Sequence, residues 1–148
     1  MGTLLLWIHV LAAATWFGAA VAVMMTTPRM RTAGDGAAAT WQLLVVDLGR
    51  KLFTPAAIVS LATGIGLVID GGFDWGSAFV SIGFAMVIIG AVLGMRFYAP
   101  IARQVAALHE TGEASGAELL YARARMLGTL ELGLLAITIW AMVAKLGA

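Results

Sequence analysis

Four apolar stretches alternate with polar connections along the chain, and each is long enough to cross a bilayer as a helix. They cover residues 3–26, 52–69, about 76–95 and about 126–144. A membrane-spanning helix needs about 20 predominantly apolar residues. The pattern therefore predicts an all-α fold, an integral membrane four-helix bundle, with residues 1–148 as a single four-span domain. The first stretch is interpreted as a retained helix, because no Lys or Arg precedes it and it exceeds a signal-peptide core of about 7–15 residues.

The polar connections on one side of the predicted bundle are themselves expected to be helical. Residues 37–50 should extend the second span and residues 96–110 the third. Pro55 and Pro100 should kink these two helices without ending them. Residues 111–118 should form a polar turn, with His109 beside it exposed to solvent, and Gly71 and Gly72 should form the turn on the opposite side. No internal repeat is evident.

The basic residues predict the orientation of the bundle. Lys145 lies on the side of the termini, whereas the other eight of the nine basic residues lie on the opposite side: Arg29, Arg31, Arg50, Lys51, Arg96, Arg103, Arg123 and Arg125. Basic residues near span ends stay in the cytoplasm. We therefore expect both termini outside, N-out and C-out, with helices two and three extended into the cytoplasm.

Composition narrows the classes of function. The chain is 61% hydrophobic and 11% charged, whereas soluble domains carry about 25% charged residues. This excludes an ordinary soluble enzyme and makes the lipid bilayer the main partner. The net charge of +1 argues against a nucleic-acid partner. Because the chain has no cysteine, disulfides and thiolate metal sites are excluded.

Small residues four positions apart recur in the first three spans, where helices are expected to approach closely. The pairs are Ala14 and Gly18, Ser60 and Gly64, and Gly90 and Gly94. The sequence does not indicate whether these contacts form within one chain or between chains.

Two ionisable residues, His9 and Glu131, lie well inside predicted spans. Such residues are costly in a membrane and mark candidate functional sites. They fall in opposite halves of the bilayer, so we do not expect them to pair with each other. For Glu131 we expect an ion pair with one of three basic residues at similar depth: Arg50, Lys51 or Arg96.

Helical spacing places other candidates beside these two. Glu131, Thr138, Met142 and Lys145 share one face of span four, and His9 shares a face of span one with Trp16. Because the two spans are antiparallel, His9 should lie near the depth of Met142 and Lys145. The candidate cofactor-binding residues are therefore His9, Met142, Lys145 and Trp16, and the candidate metal ligands are His9 and Met142.

Several chemistries fit these residues. Imidazole with a thioether or amine can ligate haem iron, imidazole with Met can hold copper, and His9 and Glu131 could relay protons if water or other groups bridge them. The structural alternatives are a packed histidine, a Glu131 ion pair and a Lys145 side chain that reaches the membrane surface. No Ser–His–Asp order, zinc spacing or phosphate loop is present, so no catalytic residue is assigned.

Three segments carry a resemblance to known proteins. WIHVLAAATWFGA, DLGRKLFTPAAIVSLATGIGLVID and ELGLLAITIWAMVAK resemble the first, second and last spans of an uncharacterised family of small bacterial four-helix integral membrane proteins. More distantly, they are similar to HemJ-type protoporphyrinogen oxidases and to the membrane domain of CopD-type copper-resistance proteins. The resemblance implies a multi-pass protein of the bacterial inner membrane, with His9 and Lys145 as haem-linked residues.

The leading hypothesis is a small b-type haem or tetrapyrrole-linked redox protein with His9 as ligand and Lys145 or Met142 opposite. One alternative is a non-enzymatic accessory or assembly subunit of a membrane complex, with a homo-oligomer or another membrane protein as partner. The other is a copper or proton permease element.

Overall fold

The computed structural model describes residues 2–147, and within that range it contains four long helices and no strand. The helices are α1 (Gly2–Thr32), α2 (Asp35–Gly71), α3 (Ala78–Glu110) and α4 (Ala114–Ala144). Each is long and apolar enough to cross a membrane. The predicted all-α fold with four such helices is confirmed.

Helices α2 and α3 both contain a π-helical turn next to a proline. In α2 the α-helical parts are Asp35–Leu48 and Thr54–Gly71, and the π-turn Gly49–Phe53 lies between them. In α3 they are Ala78–Leu93 and Ala99–Glu110, separated by the π-turn Gly94–Tyr98. Both helices continue through their prolines, as predicted, and both extensions of the apolar spans are helical.

Helix α4 begins earlier than the apolar pattern predicts. It opens with a 3₁₀ turn, Ala114–Ala117, and is α-helical over Glu118–Ala144. Residues 118–125 include three charged side chains, so a search for apolar runs does not detect this first part of the helix. The predicted turn at the other side is present: α2 ends at Gly71, and Gly72 adopts a left-handed φ of 62° that a glycine accommodates without strain.

The two ends of the bundle differ in charge. The basic end, named for the eight basic residues given above, holds the connection between α1 and α2 and the connection between α3 and α4. The terminal end holds residues 2 and 147 and the connection between α2 and α3. Helix α1 packs mainly against Thr54–Gly71, whereas Asp35–Leu48 packs against Ala99–Glu110. Helix α4 packs mainly against Ala78–Leu93.

The central core takes one buried side chain from each helix: Trp16, Ala56, Met86 and Leu135. A second cluster lies toward the terminal end and contains Val68, Phe79, Val80 and Ala141. A third lies at the basic end and contains Val105, Ala117 and Tyr121. The central cluster is where all four helices meet.

Two of the three predicted small-residue pairs lie in tight contacts. A Cβ on Gly90 would overlap the Trp16 ring, and a Cβ on Gly64 would lie 3.3 Å from Cε1 of His9. By contrast, Gly18 and Gly94 have open space around the position of a Cβ. Gly64 and Gly90 therefore allow α1 to approach α2 and α3 closely.

Candidate functional site

The centre of the bundle contains a buried carboxyl group. Glu131 is 7% exposed and Trp16 is 5% exposed, and Nε1 of Trp16 donates a hydrogen bond to Oε1 of Glu131 at 3.2 Å. Trp16 occupies the core cluster shared by the four helices. Trp16 and Glu131 are 115 residues apart in the sequence, and the packing of α1 against α4 brings them together.

The predicted ion pair of Glu131 is not formed. Among residues 2–147, no salt bridge includes Glu131, and Arg50, Lys51 and Arg96 are exposed. Lys51 instead pairs with Asp47 at 2.8 Å, one turn away on its own helix. The prediction used depth alone, whereas the rotation of α2 and α3 about their axes directs these three basic residues outward. Glu131 therefore accepts a hydrogen bond from the neutral indole of Trp16, whereas an ion pair with a basic side chain was expected.

Tyr98 lies on the other side of Glu131 from the terminal end. Its hydroxyl is buried beside the Glu131 carboxyl group. No atom of residues 2–147 meets hydrogen-bond geometry with that hydroxyl. Tyr98 is the last residue of the π-turn in α3, so the turn determines where its side chain enters the core.

His9 is held by α2 at a level nearer the terminal end. Its Nδ1 lies 3.0 Å from Oγ1 of Thr63, and that hydroxyl donates its own proton to the carbonyl of Val59 at 2.6 Å. Because a hydroxyl carries one proton, Thr63 must accept from His9, and Nδ1 must carry the hydrogen. The neutral ring then presents a lone pair on Nε2, which can bind a proton or a metal.

Ser60 lies between these two levels. It is one turn from Thr63 on α2 and four residues from Ala56, which packs in the central cluster with Trp16. His9 and Trp16 are seven positions apart on α1, a rise of about 10 Å. The Ser60 hydroxyl is buried and, within the described part of the chain, has no hydrogen-bond partner.

These side chains lie at successive levels of the bundle in a discontinuous column, which we call the polar path; hydrogen bonds join His9 to Thr63 and Trp16 to Glu131. From the terminal end toward the basic end its members are His9, Thr63, Ser60, Trp16, Glu131 and Tyr98. Each hydroxyl, imidazole or carboxyl group in it can accept and donate a proton in one of its protonation states. The column can therefore support proton transfer between groups that are otherwise surrounded by apolar side chains.

The remaining predicted site residues lie elsewhere in the bundle. Met142 packs with the cluster at the terminal end and contacts Gly83 of α3. The Lys145 ammonium lies 5.3 Å from the centre of the Phe73 ring, and the Thr138 hydroxyl donates to the carbonyl of Leu134 on its own helix. Met142 and Lys145 thus have contacts with α3 and with the connection that precedes it, Met142 also packs against the cluster that contains Val68 of α2, and His9 has contacts with α2.

A second group of polar side chains, the basic-end cluster, consists of Arg31, Asp35, His109, Glu118 and Tyr121. His109 is 8% exposed, so the prediction of a solvent-exposed side chain is wrong. Its Nδ1 bonds Asp35 at 2.8 Å and its Nε2 bonds the Tyr121 hydroxyl at 2.9 Å. Arg31 pairs with Glu118 and lies 4.2 Å above the Tyr121 ring. The early start of α4 places Tyr121 here.

Sequence reasoning identified His9, Trp16 and Glu131 but missed Ser60, Thr63 and Tyr98 as polar-path members. The hydroxyl residues carry no charge, so a search for ionisable groups passes over them. Thr63 lies seven residues from Ala56, as His9 does from Trp16, but the pairing of Ala56 with Trp16 that brings these levels together comes from the structure.

Within residues 2–147, no group of three or more His, Cys, Asp or Glu side chains is arranged to hold a metal ion. Comparison of the chain with protein-family models, with curated proteins and with solved structures finds no match.

Proposed function

We propose that this is a multi-pass protein of the bacterial inner membrane and that the polar path conducts protons between its two sides. The proposal adopts the proton-permease alternative. In the proposed orientation the basic end faces the cytoplasm and the terminal end faces outward, because basic residues are retained on the cytoplasmic side.

The surface that the helices expose around the bundle supports the proposed membrane location. Large apolar side chains are exposed along the helices, among them Val143 at 79%, Met95 at 70% and Ile69 at 68%. Trp7, Trp75 and Trp140 are exposed at or near the terminal end, where indole side chains suit a membrane–water interface. A surface of this kind is compatible with lipid and would aggregate in water.

The observation that carries the proposal is a pair of buried hydroxyls without partners. In the described residues, Ser60 and Tyr98 hold the only fully buried side-chain N or O atoms that lack a hydrogen bond. They flank the Trp16–Glu131 pair on its two sides. Buried polar groups are nearly always bonded, and one that is not can take a water or a transferred proton as its partner. Two such groups in one column are the steps that a proton relay needs.

Glu131 is the central proton site of this proposal. A buried carboxylate requires a cationic partner or a proton, and no basic side chain pairs with Glu131 among residues 2–147. A proton enters at Nε2 of His9, passes by way of the Ser60 hydroxyl to Glu131 and leaves past Tyr98. Because the Ser60 hydroxyl bonds no described side chain, water is required between His9 and Ser60, between Ser60 and Glu131, and beyond Tyr98.

Proton flux into liposomes tests the proposal. The purified protein is reconstituted with a pH-sensitive dye inside, and valinomycin sets a potassium diffusion potential. We expect dye acidification above that of empty liposomes, and loss of the excess in Glu131→Gln, which keeps the size of the side chain but cannot exchange a proton. The matched control is Glu110→Gln, an exposed carboxyl at the basic end, which should retain the full flux. Flux equal to that of empty liposomes, or wild-type flux in Glu131→Gln, would overturn the proposal.

A second candidate is the haem-linked redox protein. The observation that favours it is the bond from Nδ1 of His9 to Thr63, because metal-binding histidines typically donate their other ring N–H to a fixed acceptor. His9 would hold haem iron through Nε2, and Met142 and Lys145 have contacts with α3 and with the connection before it. Bound haem would supply one-electron transfer.

The absorption spectrum and metal content of the purified protein test the second candidate. A Soret band that disappears in His9→Ala would support it, and a colourless preparation from cells supplied with iron would contradict it. Copper bound by His9 and Met142 would appear in the same metal determination. If proton flux, a Soret band and copper are all absent, the polar path aligns the helices of an accessory or assembly subunit. Co-purification would then identify the membrane protein to which that subunit binds.

A further inference from the structure

The four helices are longer than a bilayer is thick. They contain 31, 37, 33 and 31 residues, and at about 1.5 Å per residue they are about 46–55 Å long. The hydrocarbon core of a bilayer is about 30 Å thick. The exposed indole rings of Trp7, Trp75 and Trp140 lie at or near the terminal end, which suits that end to one membrane surface. The excess length therefore extends beyond the opposite surface, at the basic end.

The length of a membrane span gives the level at which the helices leave the hydrocarbon. A span of about 20 residues, counted on each helix from the terminal end, finishes near residues 21, 52, 97 and 125. We call this level the inner boundary. Two of the four positions fall in the π-turns Gly49–Phe53 and Gly94–Tyr98. Beyond the inner boundary the helices have a core of their own, which contains Val105, Ala117 and Tyr121.

Four arginines lie at the inner boundary, each within two residues of the counted position on its own helix. We call them the arginine belt: Arg50, Arg96, Arg123 and Arg125. All four are exposed, and no salt bridge among residues 2–147 includes any of them. Lys51 lies at the same level but is paired with Asp47. The belt therefore presents four cationic side chains whose charge no described carboxylate neutralises.

Large apolar side chains are exposed directly beside the arginine belt. Arg96 lies between Met95 and Phe97, which are 70% and 43% exposed, and Arg125 precedes Met126, which is 57% exposed. An inorganic anion or a soluble acidic protein would leave these apolar side chains in water. A phospholipid satisfies both, because its phosphate can meet the guanidinium group while its acyl chains cover the apolar neighbours.

We propose that the arginine belt binds anionic phospholipids, with guanidinium groups on headgroup phosphates at the inner membrane surface. A guanidinium group can donate two parallel N–H hydrogen bonds to phosphate oxygens. Basic side chains just beyond membrane spans attract lipids of net negative charge, whereas a zwitterionic lipid carries a positive group that offsets its phosphate. The inference rests on the proposed membrane location and is independent of the proton path.

Lipid selectivity in a bilayer tests the proposal. The protein is reconstituted in phosphatidylcholine, and electron paramagnetic resonance compares the association of spin-labelled phosphatidylglycerol with that of spin-labelled phosphatidylcholine. We expect the wild-type protein to prefer phosphatidylglycerol. The double variant Arg96→Gln/Arg125→Gln should lower the ratio of the two association constants by up to about fivefold for each lipid that has lost an arginine.

The matched control removes the same charge from outside the belt. Arg29→Gln/Arg103→Gln replaces two exposed arginines that lie about 10 Å beyond the inner boundary. Since this distance is about one Debye length at physiological salt, the control should keep the wild-type ratio. No preference in the wild-type protein, or equal loss in the two double variants, would overturn the proposal.

Inorganic phosphate separates a lipid headgroup from a free anion. An excess of it at constant ionic strength should leave the preference unchanged, because free phosphate has no acyl chains to cover Met95, Phe97 and Met126. Loss of the preference would overturn the lipid assignment in favour of a free-phosphate site. Proton flux is measured separately: lipid preference without flux would overturn the proton path alone, and flux without preference would overturn the arginine belt alone. If neither spin-labelled lipid is immobilised by the protein, the membrane location itself is wrong.

Discussion

The polar path and the basic-end cluster use the same kinds of side chain and differ in how fully those side chains are bonded. Each contains a histidine, a tyrosine and at least one carboxyl group. In the basic-end cluster both ring nitrogens of His109 and the Tyr121 hydroxyl are hydrogen-bonded, and Arg31 is paired with Glu118. In the polar path the Ser60 and Tyr98 hydroxyls have no partner in the described chain.

The difference separates a structural role from the functional role that we propose for the polar path. The basic-end cluster joins all four helices, since Arg31 lies near the end of α1, Asp35 begins α2, His109 lies near the end of α3, and Glu118 and Tyr121 lie near the start of α4. A fully bonded polar network fixes the arrangement of the elements that it joins. The polar path also joins the helices but leaves bonding capacity unused, and that capacity is what proton transfer requires.

Replacing each histidine by alanine should show the largest difference between the two groups. His109→Ala removes two hydrogen bonds and leaves a cavity under Tyr121, so we expect the free energy of unfolding to fall by about 2–3 kcal/mol. His9→Ala removes one bond to Thr63 at a half-buried position and should cost about 1 kcal/mol. Denaturant unfolding in detergent, followed by circular dichroism, measures both. Equal losses, or a larger loss in His9→Ala, would contradict the assignment of the basic-end cluster as the structural one.

Two glycine substitutions test how tightly the polar path is packed. Gly90→Ala places a methyl group against the Trp16 ring, so we expect a loss of about 1–3 kcal/mol in the free energy of unfolding and weaker proton flux. The control is Gly133→Ala on α4, where a Cβ meets open space, and both properties should remain near wild type. The same unfolding and flux assays apply. If the two variants behave alike, the Trp16–Glu131 pair is not held by close packing of α1 on α3.

The elements of the fold could be predicted from the sequence, but the rotation of the helices could not. Apolar runs identified the four helices, and the helical character of residues 37–50 and 96–110 identified their extensions. A π-turn contains an extra residue per turn and changes which side chains face inward beyond it. Depth along the helix placed Arg50, Lys51 and Arg96 near Glu131, but all three lie within the π-turns, where the structure directs them to the surface and directs Phe53 and Tyr98 inward.

The burial of His109 illustrates a second limit. Its neighbourhood in the sequence is polar, with glycine, threonine and glutamate residues, which favours an exposed turn. The partners that bury it, Asp35 and Tyr121, come from the start of α2 and the start of α4. Tyr121 could not be assigned without the early beginning of α4, because an apolar search starts that helix after Tyr121. The local pattern of apolar and polar residues was sufficient to predict the helices. It was insufficient to predict contacts that depend on where the ends of different helices meet.

The two tyrosines provide the smallest and most direct comparison, because the same change removes one hydroxyl from each group. Tyr121→Phe breaks the bond to Nε2 of His109 and should lower the free energy of unfolding by about 1 kcal/mol without changing proton flux. Tyr98→Phe removes a buried hydroxyl that has no partner, so stability should stay within about 0.5 kcal/mol of wild type or rise, while flux falls. Unfolding and flux are measured on the same preparations. Tyr121→Phe should lower stability and keep flux, whereas Tyr98→Phe should keep stability and lower flux. A loss of stability in Tyr98→Phe as large as that in Tyr121→Phe, with flux retained, would show that both tyrosines are structural and that the polar path is bonded as fully as the basic-end cluster.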